Sequence, residues 1–421
     1  MKILHIATHS FHGGAARSAC RRHLAAIKEG YDSTMFSLTG GGHPRVQVYR
    51  PPRDLPSRLG RRWRRALISL AYAPYRASRP EGFERFSDDR SEYGGSLLAQ
   101  MPAADIINLH WVAGFVDYPS FLVPASKRAP LIWSLHDMNP FTGGCHYTDG
   151  CERFLSGCGA CPQLGSTHNN DLSSRIWHRK RALYEVLAPE RLHLAVQNHW
   201  MATLVQSSPL MGKFPLTIIP SGVDTRDFSP REARFARNLL GIPPGARVIL
   251  FVADSLDIRR KGFPVLQQAL AGLADLPHLF LASVGSGEPS LEARVPHLHL
   301  GRTDNDRLLS LIYSAADLFV IPSLQDNAPN TVMEALACGT PVVGFAAGGI
   351  VDLVQDGITG RLAPVGEVES LGGAIRELLE DAAGRQEMAD NCRRRGLQDF
   401  SLEVMGRNYG QLYQRLPAVK T

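Results

Sequence analysis

Four short stretches hold residues whose types and spacing could do chemistry. In "PSLQDNAPNTVMEALACGTPVVGF" (322 to 345) a strand-like run ends in a loop, and the loop becomes a helix near Asn330 and Thr331 that carries Glu334 about one turn in. Asp326 and Glu334 are eight positions apart, so both can face a ligand held at the helix start. Free amides and the positive end of the helix dipole favour an anionic phosphate there. Carboxylates accept hydrogen bonds from sugar or ribose hydroxyls. The plainer reading is a helix start capped by Asn330 and Thr331. Upstream, "RRKGF" (259 to 263) is a basic turn, either solvated or set against an anion. "THSFHGGAARSACRRHL" (8 to 24) places Gly13 and Gly14 where a strand turns into a helix, letting backbone approach a phosphate or sugar closely. The full spaced-glycine dinucleotide pattern is missing.

The fourth stretch, "HDMNPFTGGCHYTDGCERFLSGCGACP" (136 to 162), gathers Cys145, Cys151, Cys158 and Cys161, four of seven cysteines, behind His136. The spacing C-x5-C-x6-C-x2-C is not a standard zinc-ribbon pattern, yet its last pair is a tight chelate knuckle. Four thiolates suit tetrahedral zinc that would pin a long loop, a scaffold rather than a catalyst. An iron–sulfur cluster, two disulfides and free thiols remain alternatives. His110 ("NLHW") and His136 ("SLHD") end consecutive strand runs, and His136 is the stronger candidate to line a reaction site.

Positioning these residues requires a regular frame. Apolar runs at 2 to 7, 33 to 38, 105 to 110, 130 to 136 and 192 to 198 alternate with helix-period segments, and so do runs at 216 to 220, 247 to 253, 279 to 285, 317 to 323 and 341 to 345. That alternation predicts two α/β, doubly wound parallel sheets in series. A turn-rich polar stretch puts the boundary within 200 to 240, giving domains 1–215 and 216–400. Residues 401–421 form a terminal helix with Ser401 as N-cap, expected to cross back to the first domain. Ligands of such sheets sit beyond the carboxyl ends of the strands, so a cleft between two domains is expected.

A chain of 421 residues with 44% hydrophobic and 20% charged residues is a globular protein with room for two cores. The opening "MKILHIATHSFHGG" reads as a buried strand rather than a signal peptide, and no apolar run approaches bilayer-spanning length. A cytoplasmic protein with reduced thiols is therefore expected. The net charge of +6 divides into +9 over residues 1 to 200 and −3 over the remainder, so the first half faces something acidic. Nucleic acid is not the expected partner, because residues 131 to 170 around the cysteines contain a single basic residue, Arg153.

The acidic pair preceding "EALACGTPVV" resembles the nucleotide-sugar signature of the retaining glycosyltransferases of family 4. Three further pieces fall in that family's order: "IPSGVDTRDFSP" (219 to 230), "RRKGF", and the glycine loop "AAGGIVDLVQDGITGRL" (346 to 362). The resemblance implies a GT-B fold with acceptor on the first domain and nucleotide-sugar on the second. It implies that Asp326 holds hydroxyls of the transferred sugar and Glu334 the ribose. Backbone amides around Pro329, Asn330 and Thr331 would meet the sugar, Arg260 and Lys261 the diphosphate, and Gly13 and Gly14 the donor phosphate from the other side. His136 stands at the family's usual histidine position, contacting sugar or acceptor. No catalytic metal is implied, because fixed cations and a helix start would stabilise the departing diphosphate. Asp326 stands where the family usually has Glu, one methylene shorter, and "FVADSLDI" lacks the arginine that commonly precedes the lysine, leaving Arg259 or Arg260 to substitute. "HDMNPFTGGC" with its cysteine-rich loop is similar to a subgroup that builds bacterial polysaccharides. A nucleotide-sugar epimerase on the same fold and a non-catalytic sugar- or nucleic-acid-binding protein are the rival readings.

Finally, residues 54 to 78 place Leu55, Leu59, Trp63, Leu67 and Leu70 at helical spacing beside Arg58, Arg61, Arg62, Arg64 and Arg65. That is the make-up of an interfacial helix, or of a surface helix whose stripe packs on its own domain. With a glycan or polyprenyl-diphosphate-linked acceptor, peripheral contact with the inner membrane face would follow.

Overall fold

The computed structural model describes residues 1–41, 45–287 and 295–416. Two compact units divide it: Met1–Ile219 with Gly406–Thr421, and Pro220–Met405. The first holds strands β1 (Lys2–His9), β2 (Asp32–Thr39), β3 (Val46–Val48), β4 (Ile106–Leu109), β5 (Leu131–Ser134), β6 (Leu192–Val196) and β7 (Leu216–Ile218). The second holds β8 (Arg247–Ser255), β9 (Leu279–Ser286), β10 (His297–His299), β11 (Leu318–Ile321), β12 (Val342–Phe345) and β13 (Gly360–Ala363).

Each set forms one sheet, in the orders β3-β2-β1-β4-β5-β6-β7 and β10-β9-β8-β11-β12-β13. Every strand pair within them is parallel. Parallel strands need helical crossovers, which cover both faces and leave central strands buried throughout. β4, β5, β11 and β12 are buried at every position, which is why they read as unbroken apolar runs instead of alternating ones. In both sheets the strand order reverses direction once, between β1 and β4 and between β8 and β11. Those switch points are where crossovers leave opposite faces and a crevice opens at the strands' carboxyl ends.

Three differences from the sequence reading have local causes. The run at 216 to 220 pairs with β6 and closes the first sheet, so the division falls at Ile219 and Pro220, not between 215 and 216. Strands β3, β10 and β13 were not foreseen; at three or four residues they are too short to show a period. The terminal helix Leu402–Arg415 starts where expected, with Ser401 Oγ accepting from Val404 N at 3.3 Å. From Gly406 on it belongs to the first unit: Tyr409 Oη meets Ser134 Oγ at 2.9 Å, and Tyr31 Oη donates to Gly410 O at 3.3 Å.

Candidate functional site

The second unit gathers its candidates at its switch point. Arg259–Lys261 is a short 3-10 turn after β8, and Asp326 lies in the loop after β11. Lys261 Nζ is 2.6 Å from Asp326 Oδ2, and Arg260 Nη1 is 3.3 Å from the same oxygen. Asn327 N donates to Oδ1 at 3.0 Å. Burial alone would raise the Asp326 carboxyl, but the Lys261 and Arg260 charges and these hydrogen bonds outweigh it and hold it below the usual carboxylate range. The loop and the turn are stitched by backbone as well: Arg260 Nη1 donates to Gln325 O at 3.1 Å, and Leu324 N to Arg260 O at 2.7 Å.

Two glycines permit this closeness. Gly262 has φ +73°, and a Cβ there would stand 1.8 Å from Pro322 O. Gly348, in the loop after β12, has φ +56°, and its Cβ would stand 2.1 Å from Asp326 O. Gly349 N then donates to Asp326 O at 2.9 Å, so three adjacent strand ends share one knot of backbone.

Helix Asn330–Ala337 starts from Pro329 without a side-chain cap, so neither Asn330 nor Thr331 caps it as the plainer reading supposed. Glu334 lies past the first turn and is buried, with Tyr313 Oη donating to its Oε2 at 3.3 Å. A carboxylate so placed does not serve the helix dipole, which acts within the terminal turn. Lys261, Arg260 and Asp326 are thus one cluster, and Glu334 is set apart from it on the helix that follows.

The first unit brings Gly13, Gly14, His110 and His136 to one edge, after the adjacent strands β1, β4 and β5. Gly13 has φ +91° and is the cap position of helix Gly14–Lys28, with no atom within 4 Å of a built Cβ. The space over this turn is open. Arg22, from the same helix, is buried beneath the histidines. Its Nη1 is 3.1 Å from His136 Nε2 and 3.4 Å from His110 Nδ1. A guanidinium only donates, so both ring nitrogens accept. His110 must then carry its proton on Nε2, which meets His5 Nδ1 at 2.8 Å, and His136 carries its own on Nδ1. Burial, with Arg22 adding, pushes all three imidazoles well below their ordinary value, so they are neutral. His136 is accordingly built as a hydrogen-bond donor through Nδ1.

Cys145, Cys151, Cys158 and Cys161 are free and line one small cavity with Phe86 and Phe154. Burial pushes the Cys145, Cys158 and Cys161 thiols up, Cys158 to about 12. Among the described residues no group of three or more His, Cys, Asp or Glu side chains is placed to hold a metal ion. The structure does bring all four sulfurs of the expected zinc set to the wall of one cavity. Other groups hold the loop. Buried Lys180 donates to Asn139 O at 2.5 Å and Thr142 O at 3.0 Å, and His146 bridges Asp137 Oδ2 at 2.6 Å and Ser87 Oγ at 2.8 Å.

Sequence reasoning missed Arg22, His5, His146 and Lys180. Only His146 left a signal, as a second histidine close behind Asp137; the others read as ordinary helix or strand residues. It also missed a cavity of 310 Å³ in the first unit, walled by Arg65 and Tyr72 of helix Leu55–Tyr72, by Arg85, Arg90 and Glu92, and by Gly114 of the loop after β4. Arg90 is held by Asp88 through two contacts of 2.9 Å, and Arg65 pairs with Glu92.

Residues 246–381 match the family model described as Glycosyl transferases group 1. The MMP alpha-(1->4)-mannosyltransferase of Mycolicibacterium hassiacum is 29% identical over 209 residues, 48% of each chain. The D-inositol 3-phosphate glycosyltransferase of Mycobacterium bovis is 34% identical over 184 residues, 40% of this chain and 37% of that one. The chain thus spans about half, or less, of the length of these curated relatives. Among solved structures, a sucrose-phosphate synthase from Thermosynechococcus elongatus superposes with TM-score 0.69 at 19% identity, covering 99% of both chains. The Anabaena protein Alr3699/HepE, solved in complex with UDP-glucose, gives TM-score 0.64 at 20% identity, covering 99% of this chain and 100% of that one. These likenesses and the two parallel sheets make the fold GT-B, and residues 246–381 of the second unit are similar to the glycosyl transferases group 1 model.

Proposed function

We propose that the protein is a retaining, metal-independent glycosyltransferase that moves a hexose from a nucleoside-diphosphate-sugar to a glycan or lipid-linked oligosaccharide in the building of a bacterial polysaccharide. The carrying observation is the cluster of Lys261, Arg260 and Asp326 at the second unit's switch point, followed by an uncapped helix start and buried Glu334. Pairs of fixed cations beside a helix N-terminus suit a diphosphate that gains charge as its bond to the sugar breaks. Asp326 accepts from sugar hydroxyls, Glu334 from the ribose, and the amides of Asn330 and Thr331 meet the sugar. Lys261 exchanges part of its contact with Asp326 for the diphosphate.

In the first unit Gly13 and Gly14 leave backbone open to the donor phosphate, and neutral His136 donates Nδ1–H to the transferred sugar or the acceptor. A proton already on Nδ1 and a nitrogen occupied by Arg22 make it a poor base, consistent with the departing phosphate taking the acceptor's proton. The cavity holds Arg65 and Arg90 paired with Glu92 and Asp88, and Arg85 adds the surplus positive charge for an anionic acceptor. Retention and metal independence rest on the family 4 resemblance, and the polysaccharide assignment on the "HDMNPFTGGC" loop; the matched glycosyltransferase group 1 domain supports the reaction class. Work at the cytoplasmic membrane face fits such an acceptor.

The test is release of nucleoside diphosphate from UDP-, GDP- and dTDP-sugars with a membrane lipid extract as acceptor source, with and without chelator, and NMR of the product's anomeric proton. Turnover of one donor with chelator present and configuration retained supports the reading. Turnover that chelator abolishes, or an inverted product, contradicts it.

A further inference from the structure

Helix Leu55–Tyr72 buries none of its residues. Asp54 caps it, its side chain accepting from Ser57 N at 2.9 Å, and at its far end Ala71 and Tyr72 pack on the cluster around Phe86, so the helix is anchored while its apolar stripe faces water. Leu55, Leu59, Trp63, Leu67 and Leu70 are 66, 55, 67, 40 and 69% exposed, and their spacing sets them on one face. A stripe of five large apolar side chains in water on one helix is the pattern that marks a docking surface rather than scattered surface leucines. The opposite side of the helix, through Arg65, Ile68, Ser69 and Tyr72, walls the 310 Å³ cavity.

Charge selects the occupant. Between Asp54 and Glu81 the chain has seven arginines and no acid. Arg58 and Arg62 flank the stripe on one side, both exposed, while Arg64 on the other turns to Asp117 at 3.7 Å. A second copy of this chain would bring two such faces together and set arginines against arginines, whereas anionic headgroups satisfy the flanks while acyl chains take the stripe. No helix among the described residues is long and apolar enough to cross a membrane, so contact through this helix would be peripheral.

We propose that helix Leu55–Tyr72 docks the first unit on an anionic lipid surface, with Leu55, Leu59, Trp63, Leu67 and Leu70 in the acyl boundary and Arg58 and Arg62 among the headgroups. Docking brings the cavity on the helix's other side to the interface, within reach of a lipid-borne anionic acceptor. That last consequence rests on the function proposed above; the docking does not.

The test is co-sedimentation of the full chain with phosphatidylglycerol-containing vesicles and with pure phosphatidylcholine vesicles, with tryptophan emission compared between the native chain and Trp63→Phe. The native chain sediments with the anionic vesicles, releases with added salt, and shows a blue shift that Trp63→Phe lacks. Arg58→Gln with Arg62→Gln lowers partitioning about 30-fold. Leu59→Glu with Trp63→Glu abolishes it and leaves the melting transition in place, because both side chains are already in water. Failure of the native chain to sediment, equal binding to neutral vesicles, or a concentration-dependent dimer that Trp63→Glu disperses overturns the proposal. Nucleotide-sugar binding measured on the same preparations reports on the second unit, so loss of donor binding with docking intact sinks the transferase reading alone.

Discussion

At the scale of single residues the account turns on which groups carry charge. Asp326 is ionised because two cations outweigh its burial, and those cations are the ones we propose for the donor's diphosphate. Lys261→Ala is therefore expected to lower kcat about 10²–10³-fold, the usual cost of removing a preorganised stabiliser of developing charge. Steady-state kinetics with the identified donor measures it; an unchanged kcat would place the diphosphate elsewhere. Glu334→Gln should raise the donor KM by roughly 10-fold or more while leaving kcat closer to native, since a ribose contact is made before and during transfer. Arg22 is a positioning residue for His136. With Arg22→Met, nitrogen-15 NMR of the histidine rings should show His136 leaving its single Nδ1–H form and titrating at higher pH, because a nearby positive charge has gone. A His136 signal identical to native would remove Arg22 from that role. The placement of Asp326 and His136 beyond strand ends, and of Glu334 on the helix that follows, was legible in the sequence because apolar runs mark the strands that precede them. Arg22 was not, because an arginine in a helix reads as surface until a fold buries it under two histidines.

At the scale of elements, the loops after β8, β11 and β12 work as one body. Gly262→Ala and Gly348→Ala each push a Cβ into a neighbouring carbonyl from a left-handed backbone, so each should lower stability by about 1–3 kcal/mol or more and weaken donor binding together. Urea melts with donor titration check this; a variant of native stability would mean that the knot yields. In the first unit Lys180 pins the loop between Asn139 and Thr142, and burial draws its amine from 10.5 down to about 8. A base whose folded value is depressed binds fewer protons folded than unfolded between those limits, so stability should rise with pH from about 8 toward 10.5. Lys180→Met should flatten that slope in denaturant titrations across the window. The strand frame could be read from sequence wherever both faces are buried, as in "LFVI" and "VVGF". The cysteine loop could not, because its backbone is ordered by Lys180 and Asp171 from outside the cysteine pattern and by His146 within it, contacts that thiol spacing does not show.

At the scale of the whole molecule, the two doubly wound units differ in charge: the basic half carries the exposed arginine helix and a cavity lined by Arg65, Arg85 and Arg90 with Asp88 and Glu92, the other the Lys261–Asp326 cluster proposed to meet the diphosphate. The duplication was visible because strand and helix periods alternate twice. The exact division was not, since β7 is a short edge strand whose sheet is decided by pairing with β6 rather than by its own residues. The most direct test of the central claim is saturation-transfer NMR of the full chain against UDP-, GDP- and dTDP-sugars, repeated on Glu334→Ala. The account predicts transfer to the ribose and sugar protons of one donor class, lost in the variant. Transfer to none of them, or transfer that Glu334→Ala leaves unchanged, would contradict it.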